Sequence, residues 1–196
     1  MVKRLFDILG STIGLVVTAP LWPLIALTIK IESTGPVLVR LARVSKGKII
    51  YAYKFRSMVN GAHFIKAKFT HLNERNDGPF FKIKEDPRLT KVGKWLRRYR
   101  LDEIPQLLNV LKGELALVGP RPHEPSEVIY YPGEYQHLML AKSGVTGLSQ
   151  VNGSSSLPFL TELMLDNHYV KNQSLWLDIQ ILAKTAATIL RDTTAV

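Results

Sequence analysis

The chain has 196 residues, enough for one globular core with an appendage, and its 46% hydrophobic and 21% charged content excludes both a disordered chain and one wholly embedded in lipid. It has no cysteine, which excludes disulfides, thiolate nucleophiles and cysteine-ligated zinc together, and its five scattered histidines show no HExxH spacing. A net charge of +10 favours an anionic partner, whether nucleic acid, anionic lipid or a phosphorylated substrate.

Lys3, Arg4 and Asp7 are followed by a stretch without charge from Ile8 to Ile29, closed by Lys30. Roughly 20 apolar residues cross a bilayer core, so the stretch has the length of a span. It is too long for the apolar part of a cleaved signal, and no small-residue cleavage site precedes a polar mature sequence. Pro20 and Pro23 interrupt it, each removing a backbone donor and crowding the preceding turn. A break there leaves two arms of about 12 residues, about 18 Å each, too short to cross a core of about 30 Å alone. Basic residues lie on both sides, with Lys3 and Arg4 before and Lys30, Arg40, Arg43, Lys46 and Lys48 after, and pull both ends to the cytoplasm. A re-entrant hairpin and a proline-kinked span both satisfy these constraints. Gly10 and Gly14 stand at GxxxG spacing, which favours close helix contact but also arises by chance.

Residues 37–55 read as a β-hairpin turning near Ser45-Lys46-Gly47. Lys54-Phe55-Arg56-Ser57-Met58 then brings two cations to the strand end, the bland alternative being a solvated edge. A short helix is expected near Ala62–Phe69 and a turn at Asn76-Asp77-Gly78-Pro79. Asp86-Pro87-Arg88-Leu89-Thr90 reads as a turn opening a helix, after which Trp95, Leu96, Tyr99, Ile104, Leu107, Leu108 and Leu111 recur at near-helical spacing. Pro105 is best tolerated in a first turn, so a second helix is expected to start near Leu101–Ile104, with Asp102 and Glu103 at its N-terminus, where backbone N–H groups gather. Gly113 should end it. Pro120 and Pro122 stiffen the backbone around Arg121, and Ser143–Gly147 forms a small-residue loop without Walker spacing. Two helices close the chain. The first carries Leu160, Leu163, Met164, Tyr169 and Val170 on one face, with Asp166 at its edge. The last, capped by Ser174, carries Leu175, Ile179, Leu182, Ala186 and Ile189 toward a core or a membrane surface.

An adjacent Asp-Glu pair can bind a metal, act as a general base or supply a carboxylate nucleophile, although most such surface dipeptides are merely solvated. The company kept by Asp102 and Glu103 points to chemistry. Arg97 precedes them, Arg121 follows, and Lys54-Phe55-Arg56 can close a ring of cations able to neutralise a diphosphate, with Mg²⁺ bridging its oxygens to a carboxylate.

Asp86-Pro87-Arg88, Leu101-Asp102-Glu103-Ile104-Pro105-Gln106-Leu107, Asn109-Val110-Leu111-Lys112-Gly113 and Val118-Gly119-Pro120-Arg121-Pro122 follow one another in a fixed order. With Lys54-Phe55-Arg56-Ser57-Met58, Gly144-Val145-Thr146-Gly147, Gln150-Val151-Asn152-Gly153, Asp166 and Tyr169, this order resembles the bacterial sugar transferases known as monotopic phosphoglycosyl transferases, over nearly the whole chain. The resemblance implies transfer of a sugar-1-phosphate from a UDP-sugar to polyprenyl (undecaprenyl) phosphate, with Mg²⁺ and release of UMP, as the first membrane step of glycoconjugate assembly. The family's nucleophile matches Asp102, which would carry a covalent phospho-sugar, and Glu103 matches the second acid, serving Mg²⁺ or proton balance. Lys54, Arg56, Arg97 and Arg121 match basic positions suited to the two phosphate substrates. Asp86 and Arg88 match supporting positions, and Asp166 a recurrent acid of open role.

Pattern and resemblance together predict an α+β fold, predominantly α. Residues 1–33 would form a re-entrant membrane hairpin broken at Pro20 and Pro23. Residues 34–196 would form a catalytic domain with a small β-hairpin and amphipathic helices, on the cytoplasmic face of the bacterial inner membrane. Because the hairpin stands at the start, the minimal form of the family is expected. Three positions depart from the pattern: Ala19 where serine often precedes the hairpin proline, Ser143 where proline is usual, and Ser154 where arginine is common. A membrane-tethered nucleic-acid-binding protein is the rival, for which adjacent acids would be a liability, and a non-catalytic scaffold is a third reading. The sugar, the pathway and the oligomeric state, a homodimer included, stay open.

Overall fold

The N-terminal apolar stretch folds as two helices, α1 (Val2–Thr18) and α2 (Leu21–Glu32), bent by 62° relative to one another. The computed structural model describes residues 1–153 and 156–191, so Ser154 lies outside the described residues. Among these, no single helix is long and apolar enough to cross a membrane, whereas the bent pair together has the length and composition. Pro20 (φ −63°) caps the start of α2, and Pro23 falls in its first turn, where the missing N–H breaks no intrahelical bond. Next to Ala19, which has no hydroxyl, Thr18 Oγ1 donates to Gly14 O at 2.7 Å.

Helix α1 is polar on its inner side. Arg4 donates to Val110 O and Leu111 O, both at 2.6 Å, Asp7 Oδ1 accepts from Leu117 N–H at 3.0 Å, and Lys3 Nζ reaches Asp178 Oδ2 at 2.5 Å. A Cβ on Gly10 would stand 2.5 Å from Leu117 Cδ1, and one on Gly14 2.8 Å from Leu107 Cδ1. The GxxxG spacing thus lets α1 pack on the globular part of its own chain. Leu9, Ile13, Val16, Val17, Leu24 and Leu27 remain exposed along the outer sides of the pair.

Strands β1 (Leu38–Ser45) and β2 (Lys48–Phe55) form the expected antiparallel hairpin, with Val39 opposite Lys54. Lys46 and Gly47 both take positive φ (53° and 67°), as a two-residue turn compatible with strand twist requires. The helix expected at Ala62–Phe69 is replaced by turns and a 3-10 helix at Lys66–Leu72. That segment has neither a side-chain cap nor a buried residue to favour a longer helix.

Helix α3 (Lys91–Arg98) is capped by Thr90, whose Oγ1 accepts from Gly93 N–H at 2.9 Å. It buries Gly93 and Leu96 and exposes Trp95 and Tyr99, which spacing had put on the apolar stripe. The second helix is divided where the sequence predicted one start. A 3-10 turn at Leu101–Glu103 precedes α4 (Gln106–Lys112), because Pro105 has no N–H for Leu101 O, which is met instead by Ile104 N–H at 3.3 Å. Gly113 (φ 82°) ends α4 as expected.

A second two-stranded sheet, parallel, joins β3 (Ala116–Val118) to β4 (Gly144–Thr146). Strands this short leave no alternation to read. Helix α5 (Pro125–Val128) and a 3-10 helix at Gly133–Leu140 lie between these strands, and α6 (Leu148–Val151), α7 (Phe159–Lys171) and α8 (Leu175–Arg191) follow. The predicted apolar faces of the last two are partly wrong: Leu160, Met164 and Ile179 are exposed, while Glu162, Asp166 and Asp178 are buried. Polar residues take core-side positions that a reading by apolar spacing assigns to the surface. The fold is therefore mixed α/β, mostly helical, with two small sheets. Val110, Leu115, Leu117, Val118, Tyr169 and Ile181 form its middle cluster, and Ile25, Ile29, Phe55 and Leu96 join α2 to β2 and α3.

Candidate active site

The acid pair is brought to Lys54 by one buried amide. Asn109 on α4 accepts from Tyr53 N–H and donates to Tyr51 O, both at 2.9 Å, so its side chain continues the hydrogen bonding of β2 and docks α4 beside it. The 3-10 turn before α4 then meets the end of β2, where Lys54 Nζ lies 2.5 Å from Glu103 Oε1 and 3.8 Å from Asp102 Oδ2.

The two carboxyls are pushed in opposite directions. Burial raises Asp102, and the Glu103 charge adds to this, outweighing Lys54 and Arg97. Burial also works to raise Glu103, but Lys54, through charge and hydrogen bond, and then Arg100 and Arg121 bring it down to about 2. One acid holds its proton more readily while the other stays charged. Arg100 immediately before the turn takes a left-handed φ of 53°, an unusual conformation for a side-chain-bearing residue and one often found at functional sites.

Arg97 is placed by a close approach of helix to strand end. A Cβ on Gly93 would stand 1.8 Å from Ser57 O, so only glycine lets α3 sit on this backbone, and Arg97 Nε then donates to Ser57 Oγ at 3.0 Å. Asp86 and Arg88 form a buried two-pronged pair, with Arg88 Nε and Nη2 at 2.9 and 2.5 Å from the Asp86 oxygens. Burial opposes ionisation of Asp86, and the Arg88 bonds win and hold it low, with Arg97 adding to them. Arg88 Nη1 also donates to Ala62 O at 3.4 Å, so the pair ties the turn before α3 to the segment after β2. Arg56, grouped by sequence with the phosphate-binding cations, places its buried guanidinium on the carbonyls of Ser33 (2.7 Å) and Thr34, at the end of α2. Its position is that of a helix cap, where a cation suits the negative end of the dipole.

Arg121 extends from the Gly119-Pro120-Arg121-Pro122 corner. Its N–H donates to Asp166 Oδ2 at 3.0 Å, and its Nε lies 3.7 Å from Glu162 Oε1. Burial pushes the Asp166 carboxyl up to about 6, against the Ser149 hydroxyl, the Arg121 N–H and His123, which favour its charge. Ser143, where proline was expected, uses its hydroxyl to donate to Val44 O at 2.9 Å and so ties β4 to β1.

Lys54, Arg97, Asp102, Glu103 and Arg121 thus form one electrostatic group, with Asp166 linked through the Arg121 backbone. Sequence reading missed Asn109, Gly93 and Ser57 as positioning groups, and Glu162 with His123. Only Glu162 left a signal, its spacing of four residues from Asp166 on one helix. Among the described residues no cluster of three or more acids or histidines could hold a metal by itself. Two adjacent carboxylates fit a Mg²⁺ ion that arrives on substrate phosphates, since this ion uses one or two carboxylates and completes its shell with phosphate and water.

Residues 1–192 match the bacterial sugar transferase family, and the chain belongs to it. It is similar to undecaprenyl-phosphate galactose phosphotransferase of Salmonella typhimurium, with 42% identity over 194 residues, covering 96% of this chain and 40% of that protein. UDP-N-acetylgalactosamine-undecaprenyl-phosphate N-acetylgalactosaminephosphotransferase of Aeromonas hydrophila is 38% identical over 196 residues, covering 96% and 44%. The exopolysaccharide production protein ExoY of Rhizobium meliloti is 34% identical over 193 residues, covering 96% and 85%. The chain therefore spans less than half the length of the first two and most of the third.

Proposed function

We propose that the chain transfers a sugar-1-phosphate from a UDP-sugar to polyprenyl phosphate at the cytoplasmic face of a bacterial inner membrane. The observation that carries this reading is Lys54 set between two carboxyls whose affinities for protons are driven apart. Family membership and the activities for which the relatives are named support it. The bent α1–α2 pair, apolar on its outer sides, would enter the bilayer and return, which brings the acid pair near the phosphate of a lipid acceptor.

In this mechanism an ionised Asp102 oxygen attacks the phosphorus attached to the sugar. A new oxygen–phosphorus bond forms, the bond from that phosphorus to the oxygen of UMP breaks, and UMP leaves with the electron pair. An oxygen of polyprenyl phosphate then attacks the same phosphorus, releasing polyprenyl-diphosphate-sugar and restoring the carboxylate. Lys54, Arg97 and Arg121 offset the charge gathered at the two phosphates, and Glu103 holds Lys54 beside Asp102. Asp102 and Glu103 would hold Mg²⁺, which would supply positive charge that favours the ionised acids and the departing UMP. A ring of cations wrapped around two carboxylates does not suit a nucleic-acid backbone.

Incubating the full chain with a panel of UDP-sugars and Mg²⁺ but no lipid acceptor, followed by intact-protein mass measurement, tests the reading. A phospho-sugar adduct that disappears in Asp102→Asn is the expected result and also identifies the sugar. Steady turnover with lipid acceptor but no adduct from any donor would replace the nucleophile with a base in a direct transfer. Absence of UMP release from every donor would overturn the proposal.

A further inference from the structure

One helix grips Arg121 at two points. Asp166 on α7 holds its main-chain N–H, and Glu162, one turn earlier on the same face, lies at its Nε. Glu162 is in turn seated by the residue two positions beyond Arg121. His123 Nε2 stands 2.9 Å from Glu162 Oε1, while its Nδ1 meets the Tyr131 hydroxyl. The Glu162 carboxyl is held below its ordinary range: burial opposes this, and the His123 bond and Arg121 outweigh burial. An ionised Glu162 carboxylate can only accept, so His123 Nε2–H donates to it. Phe80, 4.7 Å from the His123 ring and 5.0 Å from Phe159, closes the apolar side. Glu162 and His123 are both more than nine-tenths buried.

A buried ion pair is a poor source of stability, because desolvation offsets its attraction. It is an effective way to fix direction. In the transferase reading the guanidinium held in this way is one of those that meet the substrate phosphates, so its direction matters. We propose that Glu162, seated by His123, is a positioning residue that aims the Arg121 guanidinium at the donor diphosphate, an inference that rests on the transferase reading.

Kinetics of the full chain, with UDP-sugar varied at saturating acceptor, test it. Glu162→Gln keeps the shape and removes the charge, and is expected to raise KM for the UDP-sugar about tenfold while kcat stays within about threefold. Adding Glu162→Gln to Arg121→Lys should produce no further rise, since the group it positions is already replaced. His123→Leu should reproduce the Glu162→Gln effect. His123→Gln, whose amide nitrogen can take the place of ring Nε2, should recover at least half of that loss, and this pair decides the matter if Glu162→Gln does not fold. Multiplicative effects of Glu162→Gln and Arg121→Lys, or an unchanged KM with a lower melting temperature, would reduce Glu162 to a structural role and overturn the proposal. If the wild-type chain turns over no donor, the transferase reading fails separately. UMP affinity measured by calorimetry then still reports on Arg121: weakening of about tenfold in Glu162→Gln supports the positioning role, and no change overturns it.

Discussion

Two acid pairs in this chain have the same electrostatic design and opposite surroundings. Asp102 with Glu103, and Asp166 with Glu162, each combine an aspartate raised by burial with a glutamate lowered by a basic neighbour, Lys54 in the first and His123 with Arg121 in the second. The first pair lies on a 3-10 turn, with Asp102 5% exposed and the Glu103 side chain 28% exposed; the second lies inside α7, with both members 1% exposed. A pair open at one member, Glu103, has a side on which a substrate can approach, whereas a sealed pair can only direct its neighbours. Charge pattern alone therefore does not distinguish chemistry from positioning, and access does.

The largest expected effect tests the open pair. Asp102→Asn should lower UMP release by about a thousandfold or more with folding retained, measured by nucleotide release and a melting curve. If instead both are lost together, Asp102 belongs with the sealed pair. Lys54→Met should cost about a hundredfold in kcat. Its pH profile sharpens the point. Asp102 is raised above the ordinary 3.8, so activity falls as pH drops through this raised value and the carboxylate is protonated. Lys54 lowers both acids, so its removal should shift the acid limb to higher pH.

Asn109→Ala should destabilise the chain by about 2–3 kcal/mol, because Tyr53 N–H and Tyr51 O lose their partner, and chemical denaturation reads the loss. The sealed pair should respond in the other direction. Asp166 binds its proton more tightly folded than unfolded, so its burial costs stability above about pH 6 and the cost fades as pH falls toward the ordinary 3.8. Asp166→Asn keeps an acceptor for Arg121 N–H and should gain about 1–3 kcal/mol at pH 7.5, with a flatter stability profile between about pH 4 and 6. A loss of stability at pH 7.5 would remove the parallel between the pairs.

The β-hairpin, the Gly113 helix end and the bend at Pro20 were legible because turn residues with fixed backbone demands specify them locally. Lys54, Arg97, Asp102, Glu103 and Arg121 were legible as a charge pattern. Asn109 and Gly93 were not legible as positioning groups, since each acts on a backbone distant in sequence, at Tyr51–Tyr53 and at Ser57. Glu162 was hidden for a related reason: an acid within an apolar run reads as surface until its partner His123 is found across the fold.

Residues 54 to 56 have a mechanical meaning as well. Lys54 holds Glu103, Phe55 packs edge-on against Trp22 at 5.1 Å beside the bend, and Arg56 fastens the end of α2. About 7 Å of extended chain therefore links the second arm of the bent pair to the candidate acid pair. Three consecutive side chains thus tie one strand end to the acid pair, to the start of α2 and to its end, so a tilt of α2 is expected to carry the acid pair with it.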